Sequence, residues 1–203
     1  MDRESRSGTT AAYYLPRNRS RKPSQARFAG RTWRRGQEAL MDDEEVLSLV
    51  RTQSRSTTYV FSVCTGALIL DAVGLLQDVK AISHWSAFHL LWHYGAIPRS
   101  ARVVLDGKMV SASGVTAGLD GALVIASLLR GDDIARQVQL GIQYAPNPPF
   151  DSGGREEEAQ PEILEVVQRS SSRITEARPA TAKRLSAKLG VRCQNAEPQL
   201  AVN

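Results

Sequence analysis

The stretch TTYVFSVCTGALIL (57–70) decides the fold of this chain. Its first half, TTYVFSV (57–63), is rich in β-branched and aromatic residues, which predicts a short strand buried on both faces. The apolar run CTGALILDAVGLL (64–76) follows without a break and predicts a helix. A strand that runs directly into a helix places Cys64 in the sharp turn between them.

A cysteine in this turn has the placement of a nucleophile. The turn exposes its side chain at the carboxyl edge of the sheet, where open α/β sheets place their active sites. We expect the start of the following helix to lower the pKa of the Cys64 thiol, and the N–H of Thr65 to stabilise developing negative charge. Gly66 keeps the turn free of a side chain. The alternative is that Cys64 is a small buried hydrophobic residue.

Further strands and helices are predicted on both sides of this turn. The segment RVVLDGKMVSASG (102–114) predicts a β-hairpin around Asp106-Gly107. Thr116–Leu129 predicts an apolar helix closed by Gly131 as a left-handed cap, with Asp132 as the N-cap of the next helix. Alternating strands and helices favour a parallel sheet covered on both faces.

The sequence also predicts which side chains face the core and where the other helices and strands lie. In the helix after Cys64 the inward residues are Leu68, Val73, Leu75 and Leu76. The other predicted elements are a helix around 42–53, a strand at Lys80–Ile82, a helix at His84–Tyr94 ending at Gly95, and one or two surface helices over Pro161–Leu189 broken at Pro179.

Composition is that of a globular protein, but the charge is unevenly distributed. Of the 203 residues 42% are hydrophobic and 23% are charged, and no apolar run approaches the length of a membrane span. The two cysteines, Cys64 and Cys193, suggest no disulfide framework, so a reducing cytoplasm is expected. Residues 1–36 carry a net charge of +8 and residues 37–203 one of −3. Such a basic arm is either disordered or a surface for nucleic acid or membrane, and we expect neither partner.

Several spaced motifs resemble one family. They are SVCTGALIL (62–70), ISHW (82–85), VVLDGKMVSASGVTAGLD (103–120) and GIQYAPNPPFDSG (141–153). Together they resemble the ThiJ/PfpI superfamily, and within it the isonitrile hydratase type. The resemblance covers roughly residues 36–175.

The resemblance implies a fold and an organisation of the chain. The fold is an α/β sandwich of the class I glutamine-amidotransferase-like (flavodoxin-like) kind, here lacking its first strands. The chain then divides into a basic, disordered or out-of-frame segment (1–36), a partial ThiJ/PfpI domain (37–175), and a C-terminal helix and tail (176–203). A homodimer is implied as well.

The resemblance also implies an activity. A lyase of this type adds water to an isocyanide and gives an N-substituted formamide, without a cofactor or metal. Cys64 corresponds to the nucleophile that attacks the substrate carbon, Thr65 to the neighbour that polarises the site, and Gly66 to part of the oxyanion site. Protease-like and deglycase-like branches carry His after the cysteine, so Thr65 argues against those activities.

Two features of the family are absent from the N-terminal segment. The family has an acidic residue after its first strand, which handles the proton, and a strand ending in a turn of the VVPGG type. The segment Phe28–Arg34 (FAGRTWR) can be encoded by codons that read LLVVPGG in another frame. We therefore hypothesise a frameshift near Arg34–Gly36; the alternative is a genuine basic arm. Either way we expect an impaired enzyme and a chain that is poorly stable or prone to aggregate.

Alternative functions and sites stay open. The domain could have another cysteine-dependent ThiJ/PfpI activity of the amidase or glyoxalase kind, or be a non-catalytic ligand-sensing module. His89 and His93 are four residues apart and could chelate a metal on a helix, but packing is the preferred interpretation for them and for His84. Asp120 is interpreted as part of a helix start rather than as a catalytic residue.

Overall fold

The computed structural model describes residues 39–154 and 159–191. The basic segment 1–36, the hypothesised frameshift and Cys193 lie outside these residues. Among the described residues, no helix has the combination of length and hydropathy that a membrane crossing needs.

The described chain alternates between helices and strands. The helices are α1 (Glu44–Ser56), α2 (Ala67–Ala72), α3 (Trp85–Phe88), α4 (Ala117–Arg130), α5 (Asp132–Gly141), α6 (Pro161–Thr175) and α7 (Arg178–Lys188). The strands are β1 (Val60–Val63), β2 (Lys80–Ala81), β3 (Ile97–Pro98), β4 (Val103–Asp106) and β5 (Met109–Ala112). Short 3-10 turns occupy Cys64–Gly66 and Leu91–Tyr94.

The main sheet has the strand order β1-β5-β4. β1 runs parallel to β5, with Val60 opposite Met109 and Val63 opposite Ala112. β4 and β5 are antiparallel and form the predicted hairpin, in which Gly107 adopts φ +57°. A separate parallel pair joins β2 to β3. The α/β class is confirmed, and the sheet combines the predicted parallel pairing of β1 with β5 and the predicted antiparallel hairpin of β4 and β5.

β1 is less buried than the sequence predicts. Only Ser62 is fully buried, and the flanking residues of the strand are partly exposed. Within the described residues β1 pairs with β5 alone, so it is an edge strand. On one face α4 approaches closely: a Cβ added at Gly121 would lie 2.6 Å from the Phe61 ring, and one at Gly118 would lie 3.0 Å from Val63. These glycines bring α4 against the strand that leads to Cys64.

The hydrophobic core is built around α2, the helix that follows the Cys64 turn. Leu68, Val73 and Leu76 are buried there as predicted, and Leu75 packs against them in part. The core also takes Ala182 and Leu185 from α7. Of the one or two surface helices predicted over 161–189 the structure has two, and the second is packed into the core rather than lying on the surface. The predicted break is confirmed, since α7 begins at Arg178 with Pro179 in its first turn.

Four local predictions differ from the structure. The helix predicted over 64–76 is shorter than expected, since α2 ends at Ala72 and Gly74 follows with φ +75°. The helix predicted over His84–Tyr94 is interrupted between Phe88 and Leu91, although it does end at Gly95 in the left-handed conformation. Gly131 has a positive φ, but its ψ of 161° is extended rather than left-handed. Asp132 is the first residue of α5 and not its N-cap; its carboxylate accepts a hydrogen bond from Ser127.

Candidate active site at the strand-to-helix turn

Cys64 occupies a strained turn. Val63 ends β1 in an extended conformation, with φ −126° and ψ 134°, and Cys64 follows immediately with φ +58°. A residue with a Cβ in the left-handed region costs about 1–2 kcal/mol, because the Cβ crowds the following carbonyl. Strain of this kind is characteristic of functional turns, where it fixes the direction of one side chain.

Hydrogen bonds hold the turn in this shape. The carbonyl of Cys64 accepts the hydroxyl of Ser83 at 3.1 Å. The N–H of Ala67 donates to the carbonyls of Cys64 and Thr65, which closes the 3-10 turn and leads into α2. A Cβ built on Gly66 would meet no atom within 4 Å. Ser83 thus holds the backbone of the turn through the Cys64 carbonyl, while the space beside Gly66 stays open.

The thiol of Cys64 is held mainly in its neutral form. Burial raises the pKa of the Cys64 thiol, and this is the largest influence on it. The N–H of Thr65, the charge of Arg178 and the hydroxyl of Thr65 act in the opposite direction without cancelling it. The expected net lowering of the Cys64 thiol pKa is therefore wrong, because the loss of hydration on burial outweighs the three effects that favour the thiolate.

A polar cluster lies next to the turn. Nδ1 of His84 accepts the N–H of Ser86 at 3.3 Å and lies 2.9 Å from the Ser86 hydroxyl. That hydroxyl in turn accepts a hydrogen bond from Nη1 of Arg178 at 3.4 Å. Burial, followed by the charge of Arg178, lowers the pKa of His84. The cluster therefore joins the segment after β2 to the first residue of α7.

Sequence reasoning missed Arg178. It lies far along the chain from Cys64, in a segment interpreted as a surface helix. The only signal was Pro179, which fixes where α7 begins and so places its first residue. The fold brings Arg178 near Cys64 because Ala182 and Leu185, one turn and two turns further along α7, are anchored in the core.

A cleft of about 300 Å³ opens beside this cluster. It lies between the region of α3 and the junction of α6 and α7. Its lining includes Ser86, His89, Gln168, Ser171, Glu176 and Arg178. Cys64 does not line the cleft, but Arg178 lines it and also acts on the thiol. The walls combine these polar groups with the apolar side chains of Trp85, Leu90 and Pro179, which suits a small molecule with both polar and apolar parts.

His89, His93 and Asp120 are the other residues that the sequence offered as candidates. His89 and His93 do not share one continuous helix, because α3 ends before His89. In the described part of the chain, no group of three or more His, Cys, Asp or Glu side chains could hold a metal ion. Asp120 lies in the first turn of α4, where it pairs with Arg102 at 2.5 Å and accepts the hydroxyl of Tyr144 at 3.2 Å. It links the hairpin, α4 and the segment after α5.

Known proteins resemble this chain over most of its length. Residues 34–128 match the DJ-1/PfpI family. An isonitrile hydratase from Pseudomonas putida is 43% identical over 153 residues, which are 75% of this chain and 67% of that enzyme. A crystal structure of a ThiJ/PfpI family protein from Pseudomonas syringae superposes with a TM-score of 0.68 and 37% identity, over 75% of this chain and 61% of that protein. This chain thus spans somewhat under two thirds of the length of that structure.

These similarities agree with the α/β architecture and with the motifs around Cys64. The residues that match the family model, 34–128, contain β1, the strained turn and the hairpin. The family predicted from the motifs is confirmed. The chain belongs to the DJ-1/PfpI family.

Proposed function

We propose that this chain is an isonitrile hydratase-like lyase in which Cys64 is the nucleophile. The observation that carries the proposal is the left-handed conformation of Cys64 directly after β1, in a chain that is 43% identical to an isonitrile hydratase. The hydrogen bonds from the N–H and hydroxyl of Thr65 to the thiol support a direct role for that residue. Gly66 contributes the open space in which a substrate would lie.

The reaction would proceed through a covalent adduct. The sulfur of Cys64 forms a bond to the terminal carbon of R–NC, and that carbon takes up a proton to give a thioformimidate, R–N=CH–S. Water then adds to the same carbon and the carbon–sulfur bond breaks. The nitrogen and the departing sulfur take up the protons of the water, which yields R–NH–CHO and the free thiol. Thr65 would stabilise the thiolate in both steps.

We further propose that the activity is impaired. Among the described residues, the only charged group that acts on the thiol is Arg178, and no carboxylate takes part. Burial favours the neutral thiol, which is a weaker nucleophile than the thiolate. Without a carboxylate to move protons, the reaction should be slower by the roughly 100- to 10,000-fold that a general acid–base group contributes.

The test is formamide production from cyclohexyl isocyanide, with glyoxal turnover measured in parallel. The proposal expects slow formamide formation that Cys64→Ser abolishes and that Cys193→Ser, the matched control, leaves unchanged. Equal formamide production by the unaltered protein and Cys64→Ser would contradict it. Turnover of glyoxal alone would favour another cysteine-dependent activity of the amidase or glyoxalase kind.

A non-catalytic ligand-sensing role is the second candidate. The cleft beside Arg178 and the predominantly neutral thiol favour it, since a binding module needs a site but no reactive group. Binding of a small molecule that is unaffected by Cys64→Ser, without any turnover, would distinguish it. A homodimer in the cytoplasm remains our proposal for the assembly and location in either case.

A further inference from the structure

Arg178 is the one charged group of the described chain that acts on both Cys64 and His84. It begins α7, an element whose Ala182 and Leu185 are fixed in the core. Its Nη1 donates to the Ser86 hydroxyl at 3.4 Å, and that hydroxyl lies 2.9 Å from Nδ1 of His84. The backbone of Arg178 is thus fixed by the packing of α7, and its guanidinium is fixed by the hydrogen bond to Ser86.

The same cluster continues to the turn. Ser83, which precedes His84, donates its hydroxyl to the carbonyl of Cys64 at 3.1 Å and is fully buried. Nδ1 of His84 accepts the N–H of Ser86, which caps the start of α3. Arg178, Ser86, His84 and Ser83 therefore form a connected path from α7 to the strained residue.

We propose that Arg178 is a positioning residue of the Cys64 site, which holds the Ser86–His84 pair beside the turn and keeps its positive charge within reach of the strained residue. The inference rests on the proposed role of Cys64 as nucleophile. It adds α7, from outside the segment that carries the motifs, to the functional site. The described charged and titratable groups around Arg178 include His84, His89 of the cleft wall, Glu176 just before α7, and the thiol itself.

Opposing effects on two groups make the proposal testable. Burial raises the pKa of Cys64 and lowers that of His84, whereas Arg178 lowers both. Loss of the charge alone should therefore raise both pKa values. A loosened structure that admits water would instead lower the pKa of Cys64 while raising that of His84. The direction in which Cys64 titrates thus separates a lost charge from a damaged fold.

The experiment is the pH dependence of Cys64 alkylation by iodoacetamide, from about pH 7 to about pH 11, with the modified peptides separated by mass spectrometry so that Cys193 is counted apart. The titration of His84 is followed by NMR in the same samples. For Arg178→Gln we expect the midpoint for Cys64 to rise by about one pH unit, which makes alkylation about tenfold slower below the midpoint. The midpoint for His84 should rise as well.

Two further variants complete the design. Arg178→Lys keeps the charge and should titrate close to the unaltered protein, which a purely structural role of the guanidinium would not produce. Glu176→Gln changes one charge in the same cleft and should leave the Cys64 profile unchanged. The proposal is overturned if the profiles of Arg178→Gln and the unaltered protein superimpose, if the Cys64 midpoint falls, if Lys behaves like Gln, or if Glu176→Gln causes a shift of the same size.

Failure of the proposed function would look different. Alkylation requires no isocyanide, so a clear shift without formamide production would reject the hydratase activity and leave the role of Arg178 intact. Formamide production with superimposed profiles would reject Arg178 alone. A folded protein whose Cys64 resists alkylation throughout the pH range would reject both.

Discussion

The core around the Cys64 turn and the outer faces of α4, α5 and α6 are both rich in apolar residues, yet they are buried to very different degrees. Leu68 is 1% exposed, whereas Leu140 on α5 is 81% exposed. Other large apolar residues of these helices and of the segment after α5 are also exposed: Leu119, Leu129, Val138, Ile142, Phe150, Ile163, Val166 and Val167. An apolar side chain stabilises a fold only through the surface that it removes from water. The two regions should therefore respond to substitution in opposite ways.

The largest expected contrast is between one leucine of each region. Leu68→Ala should lower the free energy of unfolding by about 2–5 kcal/mol, because it removes buried surface and leaves a cavity. Leu140→Ala should change it by less than about 0.5 kcal/mol. Urea unfolding followed by circular dichroism measures both. A large decrease in the free energy of unfolding for Leu140→Ala would show that this side chain is covered, for example in a dimer, and would contradict the expected difference between the two regions.

Asp71 is a charged residue type buried within the otherwise apolar core. It lies in α2 with no exposed surface, and within the described chain neither carboxyl oxygen has a hydrogen-bond partner. Burial alone raises its pKa well above the ordinary range. Asp71→Ala should therefore raise the free energy of unfolding by about 1–3 kcal/mol near neutral pH.

The pH dependence of that gain follows from the raised pKa. A carboxyl whose pKa is raised by folding favours the folded state fully below its unfolded pKa, and this contribution is lost as the pH rises towards the folded value. The gain from Asp71→Ala should thus be larger at about pH 8 than at about pH 5. Asp133→Ala, at a well exposed site of α5, is the control and should show no such trend. An Asp71 variant that is less stable at both pH values would mean that the carboxyl has a partner.

The contact between α4 and β1 joins the two regions and depends on glycine. At Gly121 a methyl group would lie 2.6 Å from the Phe61 ring and 3.3 Å from Cβ of Ala112. We expect Gly121→Ala to cost about 1–2 kcal/mol, because the clash exceeds the gain in helix propensity. Gly141→Ala, where a Cβ meets nothing within 4 Å, should be neutral or stabilising. Equal denaturation midpoints for the two variants would show that α4 is loosely attached.

The smallest expected effect concerns the strained turn. Cys64→Gly should be more stable than Cys64→Ala by about 1 kcal/mol, because glycine adopts a positive φ without a steric cost. Both variants should lack activity, so thermal unfolding is the measurement. If the alanine variant is the more stable one, the left-handed conformation of Cys64 does not persist in solution.

Secondary structure was predictable from the sequence where it depends only on residues that are close together along the chain. The strand, turn and helix around Cys64, the hairpin at Gly107 and the helix over 117–130 follow from alternation, helical period and turn residues, all of which act over a few positions. Spaced motifs also sufficed for the family. The interruption between Phe88 and Leu91 was missed because the apolar spacing there also fits a continuous helix.

The sequence by itself determined that Cys64 lies between a strand and a helix, in a chain of the DJ-1/PfpI family. Only the tertiary structure decided that Arg178 lies within electrostatic reach of that thiol, that burial is the largest influence on its pKa, and that the buried Asp71 has no hydrogen-bond partner among the described residues. Sequence patterns report which residues are neighbours along a helix or strand. Burial and charge pairing depend on which elements pack together, and that is a property of the whole fold.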